Sequence, residues 1–350
     1  MAYTNINDPS AYFQTASVWT GGSSTLAITN DGNSDLQPDW VWIKCTNASQ
    51  PHALVDSSRG TSKYLESASD AAEVTDTGRL QSFDTDGFTL AGNSGPVNTA
   101  GGTYVGWQWK ANGGTTSSNT DGTITSTVQA NTDAGFSIVQ YTGTGTAATI
   151  GHGLGVAPAM YIVKNRDQVG TNWTVFHKDL TSNAYSLYLN DNSAQSNAVG
   201  YWNGTSPTST VFSIKNTSGD VNTNTEDYVV YCFANKQGYS KFGSYVGNGN
   251  VNGTFVYTGF KPAWVMTKEV NAAGSWVIYD NKRDTFNPET KYLVAEANGA
   301  ESTFTQYDFV SNGFKFRTSG SENSSGNKHI YMAFAENPFV TSTGIPTTAR

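Results

Sequence analysis

The chain writes one short pattern three times. "PDWVWIK" at 38–44 returns as "PAMYIVK" at 158–164 and as "PAWVMTK" at 262–268, with Lys44, Lys164 and Lys268 each six residues beyond the proline. Recurrence on this scale constrains the fold more than any single motif, because each copy has to build the same unit from different side chains. The surroundings repeat as well. Each copy opens on an aromatic run ending in glycine, "YFQTASVWTGG" (12–22), "FSIVQYTGTG" (136–145) and "YSKFGSYVGNG" (239–249). Each closes on a second aromatic run, "TYVGWQWKAN" (103–112), "DYVVYCFANK" (227–236) and "HIYMAFAENP" (329–338). Between them come a third element ("PHALVDSSRG", "NWTVFHKDL", "SWVIYDNKRD") and a run matched closely in "KYLESASDAAE" and "KYLVAEANGAE" and loosely in "YSLYLNDNSAQ". A late strand follows ("SFDTDGFTL", "TSTVFSIKN", "DFVSNGFKF").

The runs alternate with the period of a strand. Val105, Trp107 and Trp109 share one face, as do Val229, Tyr231 and Phe233 in the second copy and Ile330, Met332 and Phe334 in the third. Trp40 and Trp42 likewise share a face, matched by Met160 with Ile162 and by Trp264 with Met266. Bulk persists there while the aromatic ring does not, so the strand reads as core and not as a ligand platform. The lysine at the end of each run is placed where the strand emerges into solvent. Short strands separated by Gly, Asn, Asp and Ser turns predict an all-β chain of three tandem antiparallel β-sandwich repeats, each of about 100 residues. The alternative for "KYLESASDAAE" alone is a short helix, since Leu65, Ala68 and Ala72 are spaced by three and four.

The boundaries follow from the alignment. Residues 1–11 form an N-terminal arm, 12–112, 136–238 and 239–339 the three repeats, and 340–350 a C-terminal tail. The polar stretch 113–135, "GGTTSSNTDGTITSTVQANTDAG", reads as a linker. The second and third repeats have no such spacer and are expected to pack as a pair.

Composition excludes several function classes. A net charge of -8 and the lack of a Lys/Arg cluster argue against a nucleic-acid partner, whose phosphates demand such clusters. No run approaches the roughly 18 apolar residues of a membrane span, and the N-terminus lacks the pattern of a secretory signal, so the expectation is synthesis in the cytoplasm without membrane insertion. Cys45 and Cys232 fall in different repeats and read as free, buried strand residues.

Chemical signatures are sparse. His52, His152, His177 and His329 occupy non-equivalent places, with no spacing suited to a metal, so no metal or cofactor is expected. Glycoside hydrolysis needs two acids flanking a bond, for which Asp56 with Asp280, or Asp84 with Asp86, are the candidates. "SFDTDGF" also has oxygens for Ca²⁺, against the plainer reading of an Asx turn with Gly87 at positive φ. No residue is assigned a catalytic role. Exposed aromatics beside Asn can stack on sugars, and the loosest fits to the core pattern are Trp19, Tyr201 and Trp202, with Asn203 beside the last two. These four are the candidate surface-contact residues.

Over "QPDWVWIK", "GHGLGVAPAMYIVKNRD", "YCFANKQGYSKFGSYVGNGN", "GTFVYTGFKPAWVM", "IYDNKRD" and "YMAFAENPF", the chain resembles a family of repeat-built virion structural proteins of marine bacteriophages such as cyanophages. The resemblance implies a component displayed on the particle, in a tail fibre or spike or as a capsid decoration, with jelly-roll or concanavalin-like sandwiches as its repeats. It implies other virion proteins as partners, a host surface glycan as a candidate ligand, and a homo-oligomer as one assembly. It carries no catalytic motif, so the expectation is a non-enzymatic protein contributing to host attachment. The alternatives are a carbohydrate-active enzyme and a purely structural spacer. Docking or trimerisation is expected in the segment before Phe13 or the tail after Phe339.

Overall fold

A computed structural model describes residues 4–216 and 218–340. They form a nearly all-β, sandwich-like molecule of antiparallel ladders, in which a four-residue α-helix (Gly95–Asn98) and two 3₁₀ turns are the helical elements.

Three large sheets share one strand order. In the first, the closing strand Thr103–Trp109 lies between the opening strand Phe13–Thr15 and the proline-led strand Trp40–Cys45, followed by Ala53–Asp56 and Lys63–Leu65. In the second, Asp227–Phe233 lies between Phe136–Thr142 and Met160–Asn165, followed by Thr174–His177 and Leu187–Tyr188. In the third, Lys328–Pro338 lies between Ser240–Val246 and Phe260–Glu269, followed by Val277–Asp280 and Glu289–Val294. The register matches too: Trp109, Phe233 and Phe334 stand opposite Trp40, Met160 and Trp264.

Because side chains alternate along a strand, each large sheet presents two faces, and both are buried. One face packs on a smaller layer. Leu26–Ile28, Gly87–Leu90 and Leu80–Asp84 cover Val41, Ile43 and Cys45 of the first sheet. Ala148–Gly151 with Val211–Ile214 cover Tyr161 and Val163 of the second. Phe255–Tyr257, Gly313–Phe316 and Ser302–Val310 cover Val265 of the third.

The opposite faces of all three sheets meet in one central core. Trp40, Trp42, Trp107 and Trp109 converge there with Met160, Ile162, Tyr231 and Phe233 and with Trp264, Met266, Met332 and Phe334. Trp40 stacks on Tyr231 at 4.2 Å, and Trp109 lies edge-on to Trp264 at 5.9 Å. Burial of apolar surface at roughly 25 cal/mol per Å² makes this shared core a major source of cohesion. "PDWVWIK" is a core strand, then, but its tryptophans serve the contact between sheets while Val41 and Ile43 serve the sandwich-like layer beneath.

Two expectations about organisation change. Stretch 113–135 is not a bare linker: Ser117–Asn119 and Ser126–Asn131 form a hairpin on the edge of Phe136–Thr142, with Val128 opposite Val139 and buried. The Thr, Val and Ser of "ITSTVQ" favour strand, and an apolar slot for Val128 outweighs the flexibility of the flanking glycines. The arm is not separate either, since Ile6 enters the central core and Asp8 caps the turn Pro9–Ala11. Of the tail, residues 341–350 lie outside the described residues. The alternative helix is replaced by strand Lys63–Leu65 and turns. Cys45 and Cys232 are free and buried.

Candidate functional site

The three seams between the large sheets hold buried charged and polar groups, and these seams are built alike. The recurrent lysines define them. Lys44, Lys164 and Lys268 do not emerge into solvent: all three are fully buried. Lys164 Nζ donates to the carbonyls of Thr171 (2.7 Å) and, across the seam, Asp70 (3.3 Å). Lys44 Nζ donates to Cys45 O (2.9 Å) and across to Asn298 O (3.2 Å). Lys268 Nζ donates to Glu269 O (2.6 Å) and across to Asn192 O (3.2 Å) and Ser193 O (2.9 Å). Burial costs an ammonium its hydration, which backbone carbonyls replace. Burial pushes each of the three down to about 8, so at neutral pH each keeps its proton.

Asp70, Asn192 and Asn298 each lie five residues after a matched leucine, Leu65, Leu187 and Leu293, on the strands Lys63–Leu65, Leu187–Tyr188 and Glu289–Val294. One residue after that leucine, a carbonyl accepts a ring N–H from the next sheet. Trp173 Nε1 donates to Glu66 O (2.9 Å), Trp276 Nε1 to Tyr188 O (2.8 Å), and His52 Nε2 to Val294 O (3.1 Å). His52 Nδ1 accepts from Trp42 Nε1 at 2.8 Å, which fixes the tautomer. Burial, with the Lys44 charge second, pushes His52 down to about 3 and keeps it neutral.

A backbone bond completes each seam: Glu73 N donates to Arg166 O (2.7 Å), Glu301 N to Thr46 O (2.7 Å) and Gln195 N to Val270 O (3.0 Å). The order is cyclic, with the second sheet reaching to the first, the first to the third, and the third to the second. A head-to-tail contact made three times closes a ring.

The seams differ in the residue opposite Trp40, Met160 and Trp264. There stand Asp56, His177 and Asp280. Asp56 is held by Arg59 Nε at 2.5 Å and by the Tyr231 hydroxyl at 2.7 Å from the neighbouring sheet. Arg59 also reaches Glu73 (3.0 Å), which takes a two-toothed grip from Arg166, with both bonds at 2.9 Å. Burial raises the pKa of Glu73, yet Arg166 and Arg59 together hold it below the usual carboxylate range. Asp280 repeats this with Arg283 Nε (2.6 Å), Trp107 Nε1 (3.1 Å) and Glu301 on Arg283 (3.1 Å). At the third seam the matched trio is His177, Leu180 and Gln195. Burial pushes His177 down to about 3, so it is neutral.

The candidate acids are therefore separated, one in each of two seams and each fully buried. Asp84 accepts from Ser82 Oγ (2.5 Å) and Thr89 Oγ1 (2.7 Å), and Asp86 accepts from Leu36 N (3.2 Å). Gly87 has φ +100°, and a Cβ there would lie 1.9 Å from Ile28 O, so the turn demands glycine. Among the described residues no group of three or more His, Cys, Asp and Glu is placed to hold a metal ion.

The four surface-contact candidates divide. Trp202 is fully buried, edge-on to Tyr161 at 4.8 Å with its N–H on Tyr185 O (3.1 Å). Trp19 is buried against Tyr104, ring to ring at 5.7 Å. Tyr201 is buried too, its hydroxyl bound to Asp220 and Tyr188. None of the three offers a ring face to a sugar, because each fills the gap between a large sheet and its smaller layer. Asn203 is exposed, in a turn at φ +53°.

Sequence reasoning missed two features. Asn98, Asn222 and Asn323 are fully buried at matched positions. Each donates through Nδ2 to two loop carbonyls and accepts one backbone N–H, from Gly22, Thr144 and Asn248 in turn. The signal was the shared "VNT" at 97–99 and 221–223. Glu289 is buried, and desolvation first, then Asp284 and Asp280, push it up to about 9 against the pull of Arg283 and Lys261. It is a carboxylic acid kept neutral at physiological pH, and no repeat position announced it.

No curated protein and no solved structure matches the chain. A family model described as a domain of unknown function, DUF7483, matches residues 8–338, spanning all three large sheets, and the chain belongs to that family.

Proposed function

We propose that the chain is a non-enzymatic structural protein of a bacteriophage particle, made of three tandem antiparallel β-sandwich repeats of jelly-roll or concanavalin type. It is displayed on the particle surface, in a tail fibre or spike or as a capsid decoration, and contributes to host attachment. The observation that carries this reading is the cyclic closure of the three sheets through equivalent buried seams. The acids a glycan hydrolase would need, Asp56 and Asp280, serve that closure as ion pairs with Arg59 and Arg283. What results is one block with two of its three seams filled by buried ion pairs, suited to bearing load and presenting surface. The resemblance to virion proteins supplies the setting.

Mass spectrometry of purified particles tests it: the chain is expected among the particle proteins, and its absence sinks the reading. Copy number then separates the sites, with tens to hundreds for a capsid decoration and multiples of three or six for a fibre. A second, hydrolytic reading would have to draw its proton donor from Glu289, a buried carboxyl crowded by Asp284 and Asp280. Release of oligosaccharide from host lipopolysaccharide, abolished by Glu289→Gln, would establish that reading in place of the first.

A further inference from the structure

The second and third sheets treat one equivalent place in opposite ways. In the second, the hairpin within 117–131 lies along the opening strand and over the smaller layer: Val128 opposes Val139, Ser126 Oγ donates to Gly151 O (2.8 Å), and Asn119 sits where a Cβ on Gly151 would go. In the third, no strand among the described residues covers that place, and a groove of about 390 Å³ runs between the turn at Lys178 and the edge strand Ser240–Val246. Phe255 and Tyr257 stand on one side of it, each 47% exposed. By strand register their counterparts are Ala27 and Thr29 in the first copy and Thr149 and Gly151 in the second. The fold therefore does not require aromatic rings at these two positions, unlike Trp40 and Trp42, whose bulk recurs in every copy.

The edge strand is poorly suited to accept another polypeptide strand. Phe242 N already donates to Asn235 Oδ1 (2.8 Å), Val246 O accepts from Thr254 Oγ1 (3.0 Å), and Ser240 exchanges both backbone bonds with Lys236. A ligand here has to be recognised by ring faces and side-chain charge. Lys241 Nζ lies 5.0 Å above the Tyr257 ring and donates to Tyr257 O at 2.7 Å. Lys178 lines the same groove and pairs with Asp179 at 2.8 Å, leaving the groove one positive charge in excess on a chain of net charge -8. Burial first, and the Lys178 charge second, lower the pKa of Lys241, so the two ammonium groups feel one another and an anion between them relieves both.

We infer that this groove binds an acidic glycan, its apolar sugar face on Phe255 and Tyr257 and its anionic group between Lys241 and Lys178. The inference rests on the attachment half of the proposed function and gives it a ligand class. The groove volume falls in the range of small-ligand clefts, roughly 300–1,000 Å³, and at its lower end, which suits one or two sugar rings.

Calorimetric titration of the full chain at low salt, with tetragalacturonate, sialyllactose and a ulosonate-bearing oligosaccharide against maltotetraose, tests it. At least one acidic sugar is expected to bind at least tenfold more tightly than maltotetraose. Phe255→Ser is expected to weaken that binding roughly tenfold, and Lys241→Gln to weaken it and flatten its salt dependence, as loss of a stacking face and of a charge would. Both side chains reach the surface, so the melting temperature should hold, separating lost binding from lost folding. Failure of all three acidic sugars at millimolar concentration, equal binding of maltotetraose, or affinity unchanged by Phe255→Ser overturns the inference. Each of those results leaves the particle mass spectrum, and so the structural reading, standing.

Discussion

Two of the three seams are ionic and one is neutral, although all three hold the same geometry. Where Asp56, Arg59 and Glu73, or Asp280, Arg283 and Glu301, form buried ion pairs, the third seam has His177, Leu180 and Gln195, with Leu180 inside the central core and Gln195 exchanging bonds with Thr181 at 2.9 and 2.7 Å. What the seams share is the lysine on neighbouring carbonyls, the ring N–H and the backbone bond. Closure therefore rests on those shared contacts and on the apolar core, and the ion pairs are one of two interchangeable fillings. That fits the general behaviour of buried ion pairs, whose Coulombic gain is largely offset by desolvation, while loss of one partner is expensive.

Arg59→Met leaves Asp56 buried without its cation and is expected to cost about 3–5 kcal/mol in urea unfolding. Converting the whole trio to its neutral counterpart, Asp56→His with Arg59→Leu and Glu73→Gln, is expected to recover more than half of that loss. A triple variant no better than the single one would mean that the ionic filling is specific to its seam. Lys44→Met, Lys164→Met and Lys268→Met each remove charged bonds to carbonyls and are expected to cost about 1.5–3 kcal/mol, alike at the ionic and neutral seams. A lysine that matters at one seam alone would break the claim of equivalence.

Glu289 sharpens the contrast from the other side, since it is crowded by Asp280 and Asp284 beside an ionic seam. Its folded pKa, pushed up to about 9, lies above the value of an unfolded glutamate. Its contribution to stability is therefore fully present below about pH 4.5 and is lost as pH rises to about 9. Glu289→Gln is expected to flatten the pH dependence of stability across that window and to gain about 1–2 kcal/mol at pH 8. Trp276→Phe, which removes the N–H on Tyr188 O at the neutral seam, is expected to cost about 1 kcal/mol.

Much of this was legible in the residues and some was not, for physical reasons. Alternation found the strands, and recurrence of bulk at Trp40, Met160 and Trp264 found a core position. It did not say which core, because period two separates faces without naming what lies against them. The lysines were misplaced because a strand-end lysine is ordinarily solvated, and the carbonyls that bury these three come from residues such as Asp70, distant in sequence. Their recurrence was the clue, since a solvated strand end accepts many polar residues. Trp19 and Trp202 broke the alternation and so read as exposed, but a residue in a two-residue strand or a turn can bury its ring without obeying a strand's period. The hairpin within 117–131 was hidden by its composition, and the groove at the equivalent place of the third copy depends on a difference between copies that exists only in three dimensions.

Three sheets closed on one core are expected to behave as one cooperative body. Differential scanning calorimetry of the full chain tests it most directly. A single transition whose calorimetric and van't Hoff enthalpies agree is expected, because unfolding any one sheet strips the central core from the other two. Two or three separable transitions, each shifted only by seam mutations in its own sheet, would contradict it.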